Sequence, residues 1–273
     1  MFKRHRQSAA AENRLNAGFS LVEMIVVIAV LGILAAGSVR FLHFAAEGYG
    51  AAGGRAELSS TASTALARMA IELEDALPNS LRVTGSCIEF VPVTSITRYL
   101  TLPLGSASTT MLIVAPDTSG ATLAAARLVV DAESTASLYD VTLGHLAPMA
   151  AFSAPDGAGV VTATLSSAYT FASESPQRRL YVVAAPISFC VDGTRLFRYT
   201  NYGWLPAQPA FGALPVTSPN RQLLADRVAT GSVPFDVLAP SLARNNIVAM
   251  VLALDDGHDT VVLQQSVHMR HVP

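Results

Sequence analysis

The chain has 273 residues, 51% of them hydrophobic and only 14% charged, with a formal net charge of -2. That is too apolar for a disordered chain, long enough to bury a substantial core, and without the basic footprint of a nucleic-acid binder. Only one of the 18 basic residues, Lys3, is a lysine, so P-loop, Schiff-base and Ser-x-x-Lys chemistries lack their amine beyond the first residues.

Residues 1–18 carry Lys3, Arg4, Arg6 and Arg14 against Glu12 alone, a net +3. From Phe19 to Val39 follow 21 residues whose single charge is Glu23. At about 1.5 Å per residue, this run spans a hydrocarbon core of about 30 Å. The basic residues before it hold the N-terminus in the cytoplasm, so the remainder of the chain faces outward. The run is longer than the apolar core of a secretory signal, and no small-residue cleavage site closes it. An ionised Glu23 inside such a helix costs at least about 2.5 kcal/mol unless it is paired or snorkels from the helix end.

Gly48-Tyr49-Gly50-Ala51-Ala52-Gly53 has the form G-x-G-x-x-G of dinucleotide sites. That pattern has force only between a strand and a helix, where the helix N-terminus takes the pyrophosphate. Here it follows an apolar stretch of helical length, so glycines 48–54 are read as a break in a long helix. Beyond them, Leu58, Ala62, Ala65, Leu66, Met69, Leu73 and Leu77 recur at helical spacing, with Arg68, Glu72 and Asp75 elsewhere on the surface. Pro78-Asn79 ends this amphipathic segment. The expected helix therefore covers 19–78, with a membrane segment at 19–39.

From residue 79 to 273 the pattern changes to short β-rich runs punctuated by Gly, Pro, Asp and Ser. Ile187–Val191 and Thr194–Thr200 flank Asp192-Gly193, the signature of a hairpin. Ile247–Leu254 suits a central strand, Asp255–Asp259 a turn, and Thr260–Met269 alternates, with Val261, Leu263, Val267 and Met269 on one face. Residues 101–159, rich in Ala, Ser, Thr and Gly, yield only loops and weak strands. The fold class expected is α+β, a long N-terminal helix packed on a β-rich head. No His-Glu-x-x-His, Cys-x-x-Cys or Gly-x-Ser-x-Gly occurs, which weighs against common hydrolase and redox enzymes.

Gly18-Phe19-Ser20-Leu21-Val22-Glu23, behind a basic leader and ahead of an unbroken apolar run, closely resembles the class III leader of type IV prepilins and pseudopilins. The resemblance implies cleavage between Gly18 and Phe19 by a prepilin peptidase, N-methylation of Phe19, and a pilin-like head. It also implies that Glu23, at the fifth mature position, pairs with the new amine of a neighbouring subunit during assembly. The implied partners are the processing enzyme, other pilin subunits through the N-terminal helix, and the membrane. No cofactor and no catalytic residue is implied. The protein would sit in the inner membrane as a single-pass chain with its head in the periplasm, and then in a pilus. Many major pilins carry a proline near the helix middle, which this sequence replaces with Arg40 and the glycines.

The head is similar to the large minor pilins of the mannose-sensitive haemagglutinin (MSHA) pilus, of the MshO type. The similarity rests on Ala76-Leu77-Pro78-Asn79-Ser80, Cys87-Ile88-Glu89-Phe90 and Val267-His268-Met269-Arg270-His271-Val272-Pro273. It implies a minor pilin in a pilus or its tip or initiation complex. A type II secretion minor pseudopilin and a membrane-anchored periplasmic adhesin or binding module are the alternatives.

Cys87 and Cys190 fall in the part expected to face the periplasm, where disulfides persist, so a bond between them is expected, with two buried free thiols as the alternative. Asp255, Asp256, His258 and Asp259 offer ligands for a cation such as calcium, but Asp and Gly are also what a β-turn selects, and no metal is assigned. His268 and His271 read as surface residues on a polar strand face. Tyr199, Tyr202 and Trp204 suit either stacking on a sugar or covering a core, the latter being commoner at a hairpin end.

Overall fold

The computed structural model describes residues 18, 20–119, 123, 125–231, 234–238 and 247–270. Residues 1–17 of the expected leader 1–18, Phe19, and the terminal 271–273 with His271 lie outside the described residues. The chain divides into two compact units between Gly53 and Gly54.

Helix α1 (Leu21–Glu74) contributes to both units. It runs through 48–54 without interruption, which corrects the expected break. Glycine costs about 1 kcal/mol against alanine in a helix, yet it keeps the N–H that the ladder needs, and Ala45, Ala46, Ala51 and Ala52 supply strong helix formers around it. The helix also ends earlier than residue 78. Pro78 disfavours helical conformation in its neighbour, and Ala76 already makes a bridge to Pro92.

In the first unit every side chain from Leu21 to Phe44 is exposed. By length and composition this is a helix able to cross a membrane.

The second unit is built on the remainder of α1. Among the described residues its strands are β1 (Arg82–Thr84), β2 (Cys87–Phe90), β3 (Val93–Arg98), β4 (Ser108–Val114), β5 (Arg127–Val129), β6 (Leu146–Phe152), β7 (Val160–Tyr169), β8 (Arg179–Val183), β9 (Ile187–Asp192), β10 (Arg195–Tyr199), β11 (Arg221–Ala225), β12 (Phe235–Leu238), β13 (Ile247–Asp255) and β14 (Thr260–His268). A one-turn helix, α2 (Thr135–Tyr139), precedes β6. The pairs between them are antiparallel and form three sheets: β1-β2-β9-β10-β11, β12-β13-β14 and β3-β8-β5-β6-β7-β4.

The first two sheets hold the helix. Leu58, Ala62, Ala65, Leu66, Met69, Ala70 and Leu73 pack with Ile88, Phe90, Phe189, Leu196, Met250, Leu252 and Val267 in one core. The helical period thus presents one apolar stripe to strands whose inward positions recur every second residue. In the third sheet the two end strands meet: Tyr99 bridges Ile113, the Leu100 N–H donates to the Leu112 carbonyl at 2.7 Å, and the Thr97 hydroxyl donates to the Val114 carbonyl at 2.7 Å. The sheet encloses its own core of Met111, Leu128, Ala163, Leu180 and Val182.

Residues 101–159, expected as loops and weak strands, are largely loops and turns among the described residues, and the strands within them are β4, β5 and β6 of this third sheet. In β4 Thr109, Thr110, Ile113 and Val114 suit a strand, whereas Ala147, Ala150 and Ala151 of β6 do not and are held extended by pairing with β5 and β7. The two hairpins seen in the sequence are present. In the first, Asp192 pairs with Arg195, so the loop is Gly193-Thr194 rather than Asp192-Gly193. Gly193 has φ 60, the left-handed conformation that a primed hairpin turn requires at its first central position. In the second, β13 lies between β12 and β14 and pairs with β14 over nine residues.

Candidate functional site

The chemistry-bearing residues at the start of α1 are Gly18, Ser20 and Glu23. Ser20 is the N-cap: its carbonyl accepts the Met24 N–H at 3.1 Å, and its hydroxyl accepts the Glu23 N–H at 3.1 Å. Ser20-Leu21-Val22-Glu23 thus has the Ser-x-x-Glu spacing of a capping box, and Glu23 lies in the first turn, where the helix end favours a negative charge. A side chain added at Gly18 would meet no atom of the described residues within 4 Å. No described residue demands glycine there. Phe19 lies outside the described residues.

In the second unit Cys87 and Cys190 form a disulfide. They are opposite one another in β2 and β9, with Cα atoms 4.1 Å apart, and both are buried against Phe197, Tyr199 and Leu214. The bond closes a sequence separation of 103 residues, for which chain entropy alone contributes up to about 4.7 kcal/mol.

Asp255, Asp256, His258 and Asp259 form the β13–β14 turn. The Asp255 carboxylate accepts the Gly257 N–H at 2.7 Å and the Thr260 hydroxyl at 3.0 Å. Asp256 accepts the His258 and Asp259 N–H groups, both at 2.9 Å, and these bonds hold its carboxyl below the usual range. Asp259 faces Arg55 at 3.4 Å. The carboxylates are thus engaged in turn geometry, and among the described residues no group of three or more His, Cys, Asp or Glu is arranged to hold a metal ion.

The aromatic trio does not form one surface. Tyr199 is buried beside the disulfide, with Tyr202 packed against the same cluster. Trp204 lies with Tyr139 over a different cluster, 4.6 Å from the Arg127 guanidinium. His268 is exposed at the end of β14.

Sequence reasoning missed a buried polar network. Glu89, in a strand whose four residues are all buried, pairs with Arg82 and accepts the Tyr202 hydroxyl at 3.0 Å. Arg82 also donates to the Leu205 and Pro206 carbonyls and lies 3.6 Å from the centre of the Tyr139 ring. Burial, and then the Glu89 charge, push the Tyr139 and Tyr202 hydroxyls well above the usual phenol range. A carboxylate inside Cys-Ile-Glu-Phe was the available signal. Its aromatic partners lie far along the chain. The network locks β2 to the segment after β10 and presents no open face for a reactant.

Residues 13–39 match the prokaryotic N-terminal methylation motif. No curated protein matches the chain. No solved structure matches it either. The motif supports a type IV pilin or pseudopilin, hence a structural subunit, and implies processing by a prepilin peptidase and assembly with other pilins. Together with the apolar helix it supports a membrane-anchored, single-pass protein.

Proposed function

We propose that the chain is a minor pilin of an MSHA-like type IV pilus, or of the tip or initiation complex of one. A prepilin peptidase cuts between Gly18 and Phe19 and the new N-terminus of Phe19 is methylated. The helix then passes from the inner membrane into the filament, and the head, in the periplasm before assembly, is carried to the surface. The observation that carries this reading is a glycine against which no described residue packs, just before a capped apolar helix whose first turn holds the one charge of residues 19–39.

Two roles separate along this short segment. Gly18 serves recognition by the peptidase, which must reach the peptide bond that follows it. Glu23 serves assembly, where the Phe19 amine of an incoming subunit leaves water and needs a counter-charge in a low-dielectric helix bundle.

The test compares Gly18→Trp and Glu23→Val with wild type, scoring leader cleavage on a gel and abundance in sheared filaments. Gly18→Trp is expected to retain its leader without loss of folding, since none of the described residues opposes a side chain there. Glu23→Val is expected to be cleaved normally and to remain in the membrane. Losing one member of a buried charge pair costs about 3–5 kcal/mol, so its abundance in filaments falls by a hundredfold or more. Normal entry of Glu23→Val into filaments would refute charge pairing, and cleavage of Gly18→Trp would refute the processing site.

A further inference from the structure

β14 ends the β12-β13-β14 sheet, and among the described residues nothing pairs with its outer side. An edge strand presents a row of unsatisfied N–H and C=O groups, and proteins normally blunt such edges with charge, proline, bulges or brevity. β14 has none of these. It is nine residues long, contains no Pro, Lys, Arg, Asp or Glu, and keeps an unbroken register with β13. Val262 stands 58% exposed on its outward face. Among the described residues the other end strands of the two open sheets are short or defended: β1 has three residues, β12 has four, and β11 has five, a register irregularity, and Arg221 paired with Asp192.

We propose that the free edge of β14 docks an extended strand of a different pilin-type subunit by β-augmentation. The proposal rests on the pilin reading for the class of the partner, and on the strand itself for the mode of contact.

The edge is held in place beside the assembly helix. Asp259, just before β14, faces Arg55 at 3.4 Å, and Arg270, just after it, reaches Glu74 through both its backbone N–H at 3.0 Å and its guanidinium at 2.6 Å. Nine strand residues span about 30 Å, as do the helical residues 55–74, so strand and helix run side by side in the same direction. A subunit recruited along the helix is therefore brought to the edge.

A second copy does not fit that edge with its own β14. Antiparallel pairing would reverse its helical segment 54–74. Parallel pairing about a twofold axis would turn its sheet over, so that the helix-covered face continued into an open one. Among the described residues the remaining edges are too short or irregular to match nine residues, which favours a different chain. Its docking segment is uncharged and free of proline at ladder positions, and it carries an apolar side chain to cover Val262.

The test uses the full-length chain in cells that assemble it, with a photoreactive amino acid at Gln264 in β14 or at the exposed control position Gln177. Adducts are identified by mass spectrometry. An adduct from Gln264, absent from Gln177, with a different chain that itself carries an N-terminal methylation motif is the expected result. Ser266→Lys places a charge on the edge and should lower that adduct about fivefold or more, with leader cleavage unchanged. An adduct with a second copy, or with a protein lacking such a motif, overturns the proposal. Cleavage is read on the same gel: a leader that stays attached overturns the pilin reading, whereas a cleaved chain in filaments without the adduct overturns the edge alone.

Discussion

Between Leu21 and Phe44 every side chain of α1 is exposed, reaching 77% at Leu21 and 76% at Phe44, whereas between Leu58 and Leu73 the same helix buries seven side chains in a protein core. Backbone geometry does not distinguish the two stretches, and neither contains proline. What differs is the distribution of polarity around the helix. The first stretch is apolar on all sides, which only lipid or other apolar helices can satisfy. The second is apolar on one side, with Arg68 and Glu72 carried away from the stripe, and its own chain supplies the strands that cover it. Apolar residues thus stabilise the second unit only where their period matches a surface that the chain itself provides.

This contrast is sharpened most by a residue that only an interior can punish. Arg82→Ala leaves Glu89 buried with its charge supported by Tyr202 alone. The expected loss is about 3–5 kcal/mol in the second unit. Denaturant unfolding of the full chain in detergent, followed by Trp204 fluorescence, measures it. A loss below about 1 kcal/mol, the range of surface pairs, would mean that Glu89 finds water or another partner.

A smaller effect compares the two stretches directly. Leu73→Ala removes a fully buried side chain from the helix–sheet core and should cost about 2–5 kcal/mol. Leu31→Ala, in the exposed stretch, should leave that unfolding transition where it was. Equal shifts for both would show that the first stretch shares the core of the second unit, and the contrast would collapse.

The sequence made this division legible because the helical period is local: Leu58, Ala62, Ala65, Leu66, Met69 and Leu73 announce the buried stripe without knowledge of what covers it. The two hairpins were legible for the same reason, since a turn and its flanking alternation lie within about twenty residues. The third sheet was not. β5 is three residues long and finds its place only between β6 and β8, and the alanines of β6 by themselves favour helix rather than strand. Glycines 48–54 misled because a single residue's propensity is a weak prior when alanines surround it. Of the candidate site, Gly18, Ser20 and Glu23 stand within six residues and read directly, whereas Tyr202 reaches Glu89 from 113 residues along the chain, through the pairing of β2 with β9.

The smallest expected effect lies where the second unit begins. Asp256 closes the β13–β14 turn next to Gly54 and Arg55: a side chain at Gly54 would come within 3.3 Å of the Asp256 carboxylate, and Asp259 of the same turn faces Arg55. The N–H groups of Asp259 and His258 lower the Asp256 pKa, with the charges of His258 and Arg227 acting in the same direction. A carboxyl whose folded pKa is depressed adds stability above its unfolded value, about 3.9 for Asp, and loses it as pH falls through the folded value. Asp256→Asn keeps an acceptor oxygen and discards the charge. It should therefore lower the melting temperature slightly at pH 7, and the gap to wild type should narrow as the pH falls below the ordinary carboxylate range. A gap that stayed constant down to pH 3 would assign the effect to the shape of the turn rather than to its charge.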